Sequence, residues 1–178
     1  SLDVMPPAGH FTSALSPKHQ GEYLLVAAGS GITPIMSIIT SILEIEVDTK
    51  VTLIYGNRTT VSMIFREHLQ DLQCKYPDRF RMISVTSREQ QAIDLLTGRI
   101  DSAKINIFLE QWIKPRLMRA CFICGPVTMA ADVRQALLAW GLEPQQIHSE
   151  QFTLPVISGN QHHDFADLPA NTRFSTIT

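Results

Sequence analysis

The stretch YLLVAAGSGITPIMSIITSIL, residues 23–43, decides how this chain folds. It carries no charged residue and is long enough to cross a bilayer. The run Gly29-Ser30-Gly31-Ile32-Thr33-Pro34 interrupts it, however, and its Ser and Thr residues would then sit in lipid. A buried strand, a tight loop and a helix account better for the same letters. Residues 23–28 have strand length and are apolar throughout, and 34–43 read as a helix. Thr33 is a good N-cap type, and Pro34 suits a first helical turn, where its missing N–H would be unpaired anyway.

The same alternation continues outward. Residues 50–55 (KVTLIY) are a β-branched-rich strand ending in Gly56-Asn57. Residues 62–76 read as a helix, with Ile64, Phe65, Leu69, Leu72 and Tyr76 forming its apolar stripe. Pro77-Asp78 stops it, and residues 80–86 make a third strand. A polar connection containing Gly98-Arg99-Ile100-Asp101 leads to a short helix over 105–113. Residues 120–124 (ACFIC) form a fourth strand, 127–140 a helix stopped by Gly141, and 146–152 a fifth strand.

The first and fourth strands are apolar on both faces, as in a parallel sheet covered on each side. The expected fold is therefore α/β: a doubly wound, five-stranded parallel sheet with helices on both faces. The expected layout is a linker or the end of another domain over 1–20, the sheet domain over 21–153, and a linker or tail over 154–178. Ligands of such sheets sit at the carboxyl ends of the strands, near the point where strand order reverses.

Composition narrows the function. With 44% hydrophobic residues, 18% charged residues and a net charge of −2, the chain of 178 residues projects no field toward nucleic acid or an anionic membrane. Its three cysteines (Cys74, Cys121, Cys124) make no disulfide framework and suit the reducing cytoplasm. Six histidines give no metal-ligand spacing, and the tail holds His162-His163. There is no G-x-S-x-G elbow and no P-loop lysine.

Candidate site residues follow the strands. Gly29, Ser30 and Gly31 let the backbone approach a pyrophosphate at a helix N-terminus, with Thr33 and Pro34 completing the turn. The usual dinucleotide fingerprint wants a third glycine where Pro34 stands. After the second strand, Asn57 and Arg58 replace the carboxylate of a standard NAD site. With Ser62 and Arg66 one and two helical turns on, they suit a 2′-phosphate and favour NADPH. Cys124, Gly125 and Pro126 close the fourth strand. Cys121 and Cys124, three apart on a strand, point to opposite faces and cannot share a metal. Glu150 and Phe152 close the fifth strand, and His148 on it reads as structural.

In this order the motifs resemble the pyridine-nucleotide domain of the ferredoxin–NADP reductase superfamily. The likeness runs from about Val4 to Phe152, and PAGHF (residues 7–11) is similar to the segment closing that family's flavin-binding barrel. The resemblance implies that Cys124 lies beside the nicotinamide, that Glu150 stands near the flavin, and that Phe152 covers its ring. Cys124 and Glu150 are thus the candidate catalytic residues. More narrowly, AAGSGITPIM, LIYGNRT with MIFR, KYP, GRID, FICGP and IHSEQF resemble reductase subunits that serve oxygenases, those of phenylacetate degradation in particular. That likeness implies NADP(H) here, with FAD and [2Fe–2S] carried by further domains of a parent chain and an oxygenase component as electron acceptor. No R-x-Y-S flavin motif and no C-x₄-C-x₂-C loop occurs within these 178 residues, so the chain is expected to bind nucleotide without turning over alone. Two other readings stand beside it: a nucleotide-sensing or docking module without redox turnover, and a flavodoxin-like FMN carrier.

Overall fold

The computed structural model describes Phe11, Thr12 and residues 14–150, together with the backbone of two short strands near the termini. Backbone contacts divide the chain into two units, Ser1–His10 with Thr153–Thr178, and Phe11–Phe152. In the first, β1 (Leu2–Val4) pairs antiparallel with β7 (Ser175–Ile177).

The second unit holds the sheet. Its strands are β2 (Gln20–Ala28), β3 (Asp48–Asn57), β4 (Phe80–Thr86), β5 (Met118–Cys124) and β6 (Ile147–Glu150). They lie in the order β4-β3-β2-β5-β6, and every neighbouring pair is parallel. The chain winds one way from β2 to β4, then crosses to β5 and winds the other. The expected doubly wound α/β sheet is therefore present. Counted within the sheet, this order is 3-2-1-4-5, whereas a flavodoxin-like sheet runs 2-1-3-4-5. Strand order thus removes the FMN-carrier reading.

Alternation along the central strands builds two cores. Leu24 and Val26 face one side with Cys121 and Ile123, covered by α3 (Ser102–Gln111) and α4 (Val127–Ala139). Tyr23, Leu25 and Ala27 face the other with Ala120, Phe122 and Cys124, covered by α1 (Ile32–Ile45) and α2 (Arg66–Lys75). Cys121 and Cys124 therefore lie on opposite faces, as strand periodicity requires. Leu24, Leu25 and Val26 are fully buried, each contributing roughly 1.5–3 kcal/mol of transfer free energy. The aromatic ring of Phe122 is stacked by His148 and met edge-on by Phe11, so His148 serves packing.

Three expected boundaries move. The helix read over 62–76 begins only at Arg66: residues 59–63 form turns closed by bonds from Ser62 and Met63 amides to the Thr59 and Thr60 carbonyls. Phe65 then takes a left-handed φ of 57°, leaving Ile64 and Phe65 exposed rather than on a buried stripe. Leu69 and Leu72 do face the core. Thr33 is not the cap of α1. That helix starts at Ile32 after the 3₁₀ turn Gly29–Gly31, and the Thr33 hydroxyl donates to the Ser30 carbonyl at 3.0 Å. Finally, Gln146 belongs to a 3₁₀ turn before β6.

No helix among the described residues is long and apolar enough to cross a membrane. Residues 23–43 divide into β2, the turn and α1.

At the amino ends of the strands, Glu46 is fully buried between α1 and β3. Its Oε1 accepts from His19 Nδ1 at 2.7 Å, from the Ser16 amide at 3.1 Å and from the Tyr23 hydroxyl at 3.3 Å. This carboxylate anchors the approach to β2 beneath the sheet, at the end away from the strand mouths.

Candidate functional site

At the carboxyl ends of the strands lies a cleft of about 810 Å³. It sits at the switch point between β2 and β5, where the chain reverses its direction of winding. Five segments wall it: the turn after β2, the ends of β3 and β4, the loop Gly98–Ile100, and the link from β5 into α4.

The turn is shaped by two glycines with different constraints. Gly29 has φ of 55°, and a side chain there would meet nothing within 4 Å. Its open face is cleft. Gly31 is the reverse: a Cβ would overlap the backbone carbonyl of Cys124, so only glycine lets the turn pack against the end of β5. Gly125 likewise has Ala28 and the Met129 methyl where a Cβ would stand, which draws the β5–α4 link close to the turn. The turn is fixed from the side by the Tyr55 hydroxyl, which donates to the Gly29 carbonyl at 3.2 Å. α4 opens on the cleft at Val127, Thr128 and Met129, where its first N–H groups and the positive end of its dipole lie.

Three arginines line this cleft from three loops: Arg58 after β3, Arg88 after β4, and Arg99 beside Gly98. No carboxylate lines it, and no ion pair engages these arginines among the described residues. Asn57 is buried in the wall beside Tyr55, and among the described residues its Nδ2 makes no hydrogen bond of ordinary geometry. Cations without ion pairs, a buried amide donor and a helix N-terminus together suit a polyanionic ligand carrying hydrogen-bond acceptors.

The structure brings together Gly29, Ser30, Gly31, Asn57, Arg58, Ser62, Gly125 and Pro126 of the expected residues. Others stand apart. Thr33 is exposed on α1, and Pro34 lines a separate hollow with Phe11, Thr12 and Leu15. Arg66 begins α2 outside the cleft, because the turns over 59–63 break the helix that was to carry it inward. Cys124 is buried beneath the cleft floor, and burial, helped by the Glu150 carboxylate, pushes its thiol up to about 11. The thiol is therefore neutral. Glu150 is exposed at the end of β6, paired in register with Cys124. Phe152 lies outside the described residues.

Arg88 and Arg99 line the cleft although they are not among the residues expected from the sequence. The signal for Arg88 was available: the strand-end rule that singles out Arg58 applies equally to the end of β4, where Ser87-Arg88 follows Thr86. Arg99 had no such signal, because Gly98-Arg99 reaches the cleft only by folding back. The Gly98 amide donates to the Thr86 carbonyl at 2.9 Å, and Thr97 bridges to Thr86 in parallel. Ile100 then packs over Gly56, where a Cβ would come within 2.9 Å of its Cδ1.

Residues 25–135, from the middle of β2 into α4, match the family model described as the oxidoreductase NAD-binding domain. The chain belongs to this family. The matched span contains all the cleft-lining loops, so the NAD-binding domain and the cleft coincide.

Among curated relatives of this NAD-binding domain is a subunit of the 1,2-phenylacetyl-CoA epoxidase of Escherichia coli (strain K12), 46% identical over 155 residues, covering 87% of this chain and 44% of that protein. The chain is also 38% identical over 151 residues to the ferredoxin reductase component of 3-ketosteroid-9-alpha-monooxygenase of Mycobacterium tuberculosis (strain ATCC 25618 / H37Rv), covering 85% of this chain and 38% of that one. It thus spans less than half the length of these relatives. In structure it is similar to the Amycolatopsis cytochrome P450 reductase GcoB, with a TM-score of 0.70, 24% identity, and 84% and 43% of the two chains covered. The CS-b5R domains of human Ncb5or in the NAD+ form give a TM-score of 0.63 at 28% identity, over 73% of this chain and 36% of that one.

Proposed function

We propose that this chain is the NADPH-binding domain of a flavin-dependent electron-transfer reductase. The observation that carries the reading is the meeting of three arginines, without ion pairs among the described residues, with a glycine turn and a helix N-terminus in one cleft at the switch point. A dinucleotide has the matching chemistry: a central diphosphate, two riboses and, in NADP(H), a further phosphate on the adenosine.

Gly29, Ser30 and Gly31, with the first amides of α4, would hold the diphosphate. Arg58, Arg88 and Ser62 would hold the adenosine phosphate, with the Asn57 amide donating to an acceptor nearby. Gly125 and Pro126 would flank the nicotinamide end, above the neutral thiol of Cys124. Glu150 stands next to Cys124 in the sheet, placing a carboxylate at that same end. When bound, the nicotinamide supplies hydride to a flavin. The contribution of this chain is to orient the dinucleotide and present its nicotinamide at the β5–β6 edge of the cleft.

The relatives named above are one component of an epoxidase and a ferredoxin reductase component of a monooxygenase. Their names support an oxygenase as the electron acceptor and phenylacetate degradation as the setting. FAD and [2Fe–2S] would be carried by neighbouring domains of a cytoplasmic parent protein. Calorimetric titration tests the reading. NADP⁺ should bind at least about tenfold tighter than NAD⁺, the value of one charge-assisted contact. Equal affinity would remove the phosphate assignment, and absence of binding by both would leave the docking-module reading in its place.

A further inference from the structure

We infer that Glu89 is a positioning residue that presets Arg58 against Arg88. The inference rests on the phosphate reading above, which it deepens.

The loops carrying the two arginines run side by side past the ends of β3 and β4. Two backbone bonds continue the ladder, from the Ser87 amide to the Asn57 carbonyl at 2.9 Å and from the Arg88 amide to the Arg58 carbonyl at 2.8 Å. Beyond Arg58 the β3 loop turns away, and there Glu89 holds it. The Thr60 amide donates to one carboxylate oxygen of Glu89 at 2.6 Å, and the Thr60 hydroxyl donates to the other at 3.0 Å. Glu89 is itself held from below. Its carbonyl accepts from the hydroxyl of fully buried Thr86 at 2.6 Å, and Gln91 Nε2 donates to that hydroxyl at 2.8 Å. The clasp closes two residues from Arg58 and one from Arg88, so both backbones are fixed where their side chains depart.

A carboxylate beside a phosphate site needs a reason, since its charge opposes the ligand's. Glu89 forms no ion pair with either arginine among the described residues; its oxygens are engaged by Thr60. Both guanidiniums stay available to an anion, while the loops that bear them are already ordered. Binding then avoids the entropy of arranging two long side chains on two loose loops.

Electrostatics and positioning predict opposite signs, which makes the inference testable. If Glu89 acted only through charge, Glu89→Ala would tighten NADP⁺. If it positions the arginines, Glu89→Ala weakens NADP⁺ by about tenfold, the order lost when a preorganised contact must be arranged on binding, and leaves NAD⁺ within about twofold. Glu89→Gln keeps an oxygen for the Thr60 amide and offers an N–H to the Thr60 hydroxyl. It should restore NADP⁺ binding to the wild-type range. Thr60→Val keeps one of the two bonds and should fall between, at roughly threefold. Thr60→Val also serves if Glu89→Ala fails to fold.

The measurement is calorimetric titration of the full chain and its variants with NADP⁺ and NAD⁺, with thermal melts alongside. Tighter or unchanged NADP⁺ binding by Glu89→Ala overturns the inference, and so does an equal loss for both nucleotides or an equal loss in Glu89→Ala and Glu89→Gln. A wild-type chain that binds both nucleotides alike overturns the underlying phosphate reading, a separate and recognisable failure.

Discussion

The hydroxyl of Tyr55 donates to the carbonyl oxygen of Gly29 across 3.2 Å, joining the middle of the site to the adjacent strand. Tyr55 lies on β3, and Gly29 opens the turn after β2 with its left-handed φ of 55°. Tyr55→Phe keeps the ring packing and deletes this one bond. Stability should fall by about 1 kcal/mol, the net value of a single hydrogen bond. Affinity for NADP⁺ and NAD⁺ should fall together, by several-fold, because the turn serves the diphosphate they share. Urea denaturation and calorimetric titration measure the two effects, and a change in the NADP⁺/NAD⁺ ratio would contradict the assignment of this turn.

Gly29 and Gly31 should respond differently to the same substitution. Gly31→Ala places a methyl against the backbone of Cys124, which cannot rotate away, and should cost about 3 kcal/mol or more by overpacking. Gly29→Ala meets no atom and pays only for its backbone conformation, roughly 1–2 kcal/mol. Chemical denaturation should rank them in that order. Dinucleotide affinity should nonetheless drop in Gly29→Ala, whose new methyl projects into the cleft.

Arg88 lines the cleft and Arg66 does not. Arg88→Ala should therefore weaken NADP⁺ by about 10- to 100-fold with little effect on NAD⁺, consistent with roughly 1.5–3 kcal/mol for a charge-assisted bond. Arg66→Ala should alter neither by more than about twofold. A reversed ranking in titration would return the phosphate site to the start of α2.

Alkali should destabilise the chain through its buried acids. Burial pushes up the hydroxyl of Tyr55, against the opposing effects of the Asn57 side chain and the Ile64 backbone. It also pushes up the thiols of Cys121 and Cys124, the latter to about 11. Each group is held neutral in the folded state beyond the pH at which the unfolded chain ionises. The stability they contribute is complete below the ordinary thiol range and is lost as pH rises toward 11, at up to about 1.4 kcal/mol per unit per group. Denaturation midpoints at pH 8 and pH 10.5 check the direction. At pH 8, iodoacetamide should modify exposed Cys74 in the native chain and spare Cys121 and Cys124.

Glu46 separates stability from binding. Glu46→Ala leaves Ser16, His19 and Tyr23 without their shared acceptor and should cost about 3 kcal/mol. It lies at the opposite end of the strands from the cleft, so nucleotide affinity at temperatures where the variant is folded should stay within about twofold of wild type. A large loss of affinity would mean that the two ends of the sheet are coupled.

The sheet was legible because its information is local. An apolar run between polar turns marks a strand, and two strands apolar on both faces, such as 23–28 and 120–124, require cover on each side. The glycine turn was legible for the same reason, since the residue types at 29–31 are needed by the turn itself. The misplacements at Thr33 and Arg66 also have local causes. A 3₁₀ turn at Gly29–Gly31 and stacked turns over 59–63 are short structures whose residues suit a helix almost as well.

The cleft's cations were another matter. From the sequence alone came the α/β class, the strand-end position of the glycine turn and of Arg58, and the split of Cys121 from Cys124, all consequences of backbone periodicity. Only the tertiary structure decided that Arg88 and Arg99 share a cleft with Arg58, and that Glu89 clasps Thr60 across 29 residues of chain. Those juxtapositions depend on strand order, on the register of β3 against β4 and on the return of Gly98 to Thr86. The strand-end rule can mark Arg88 as a candidate, but its meeting with Arg58 and Arg99 is a matter of distances between residues remote in sequence, and no pattern along the chain encodes those.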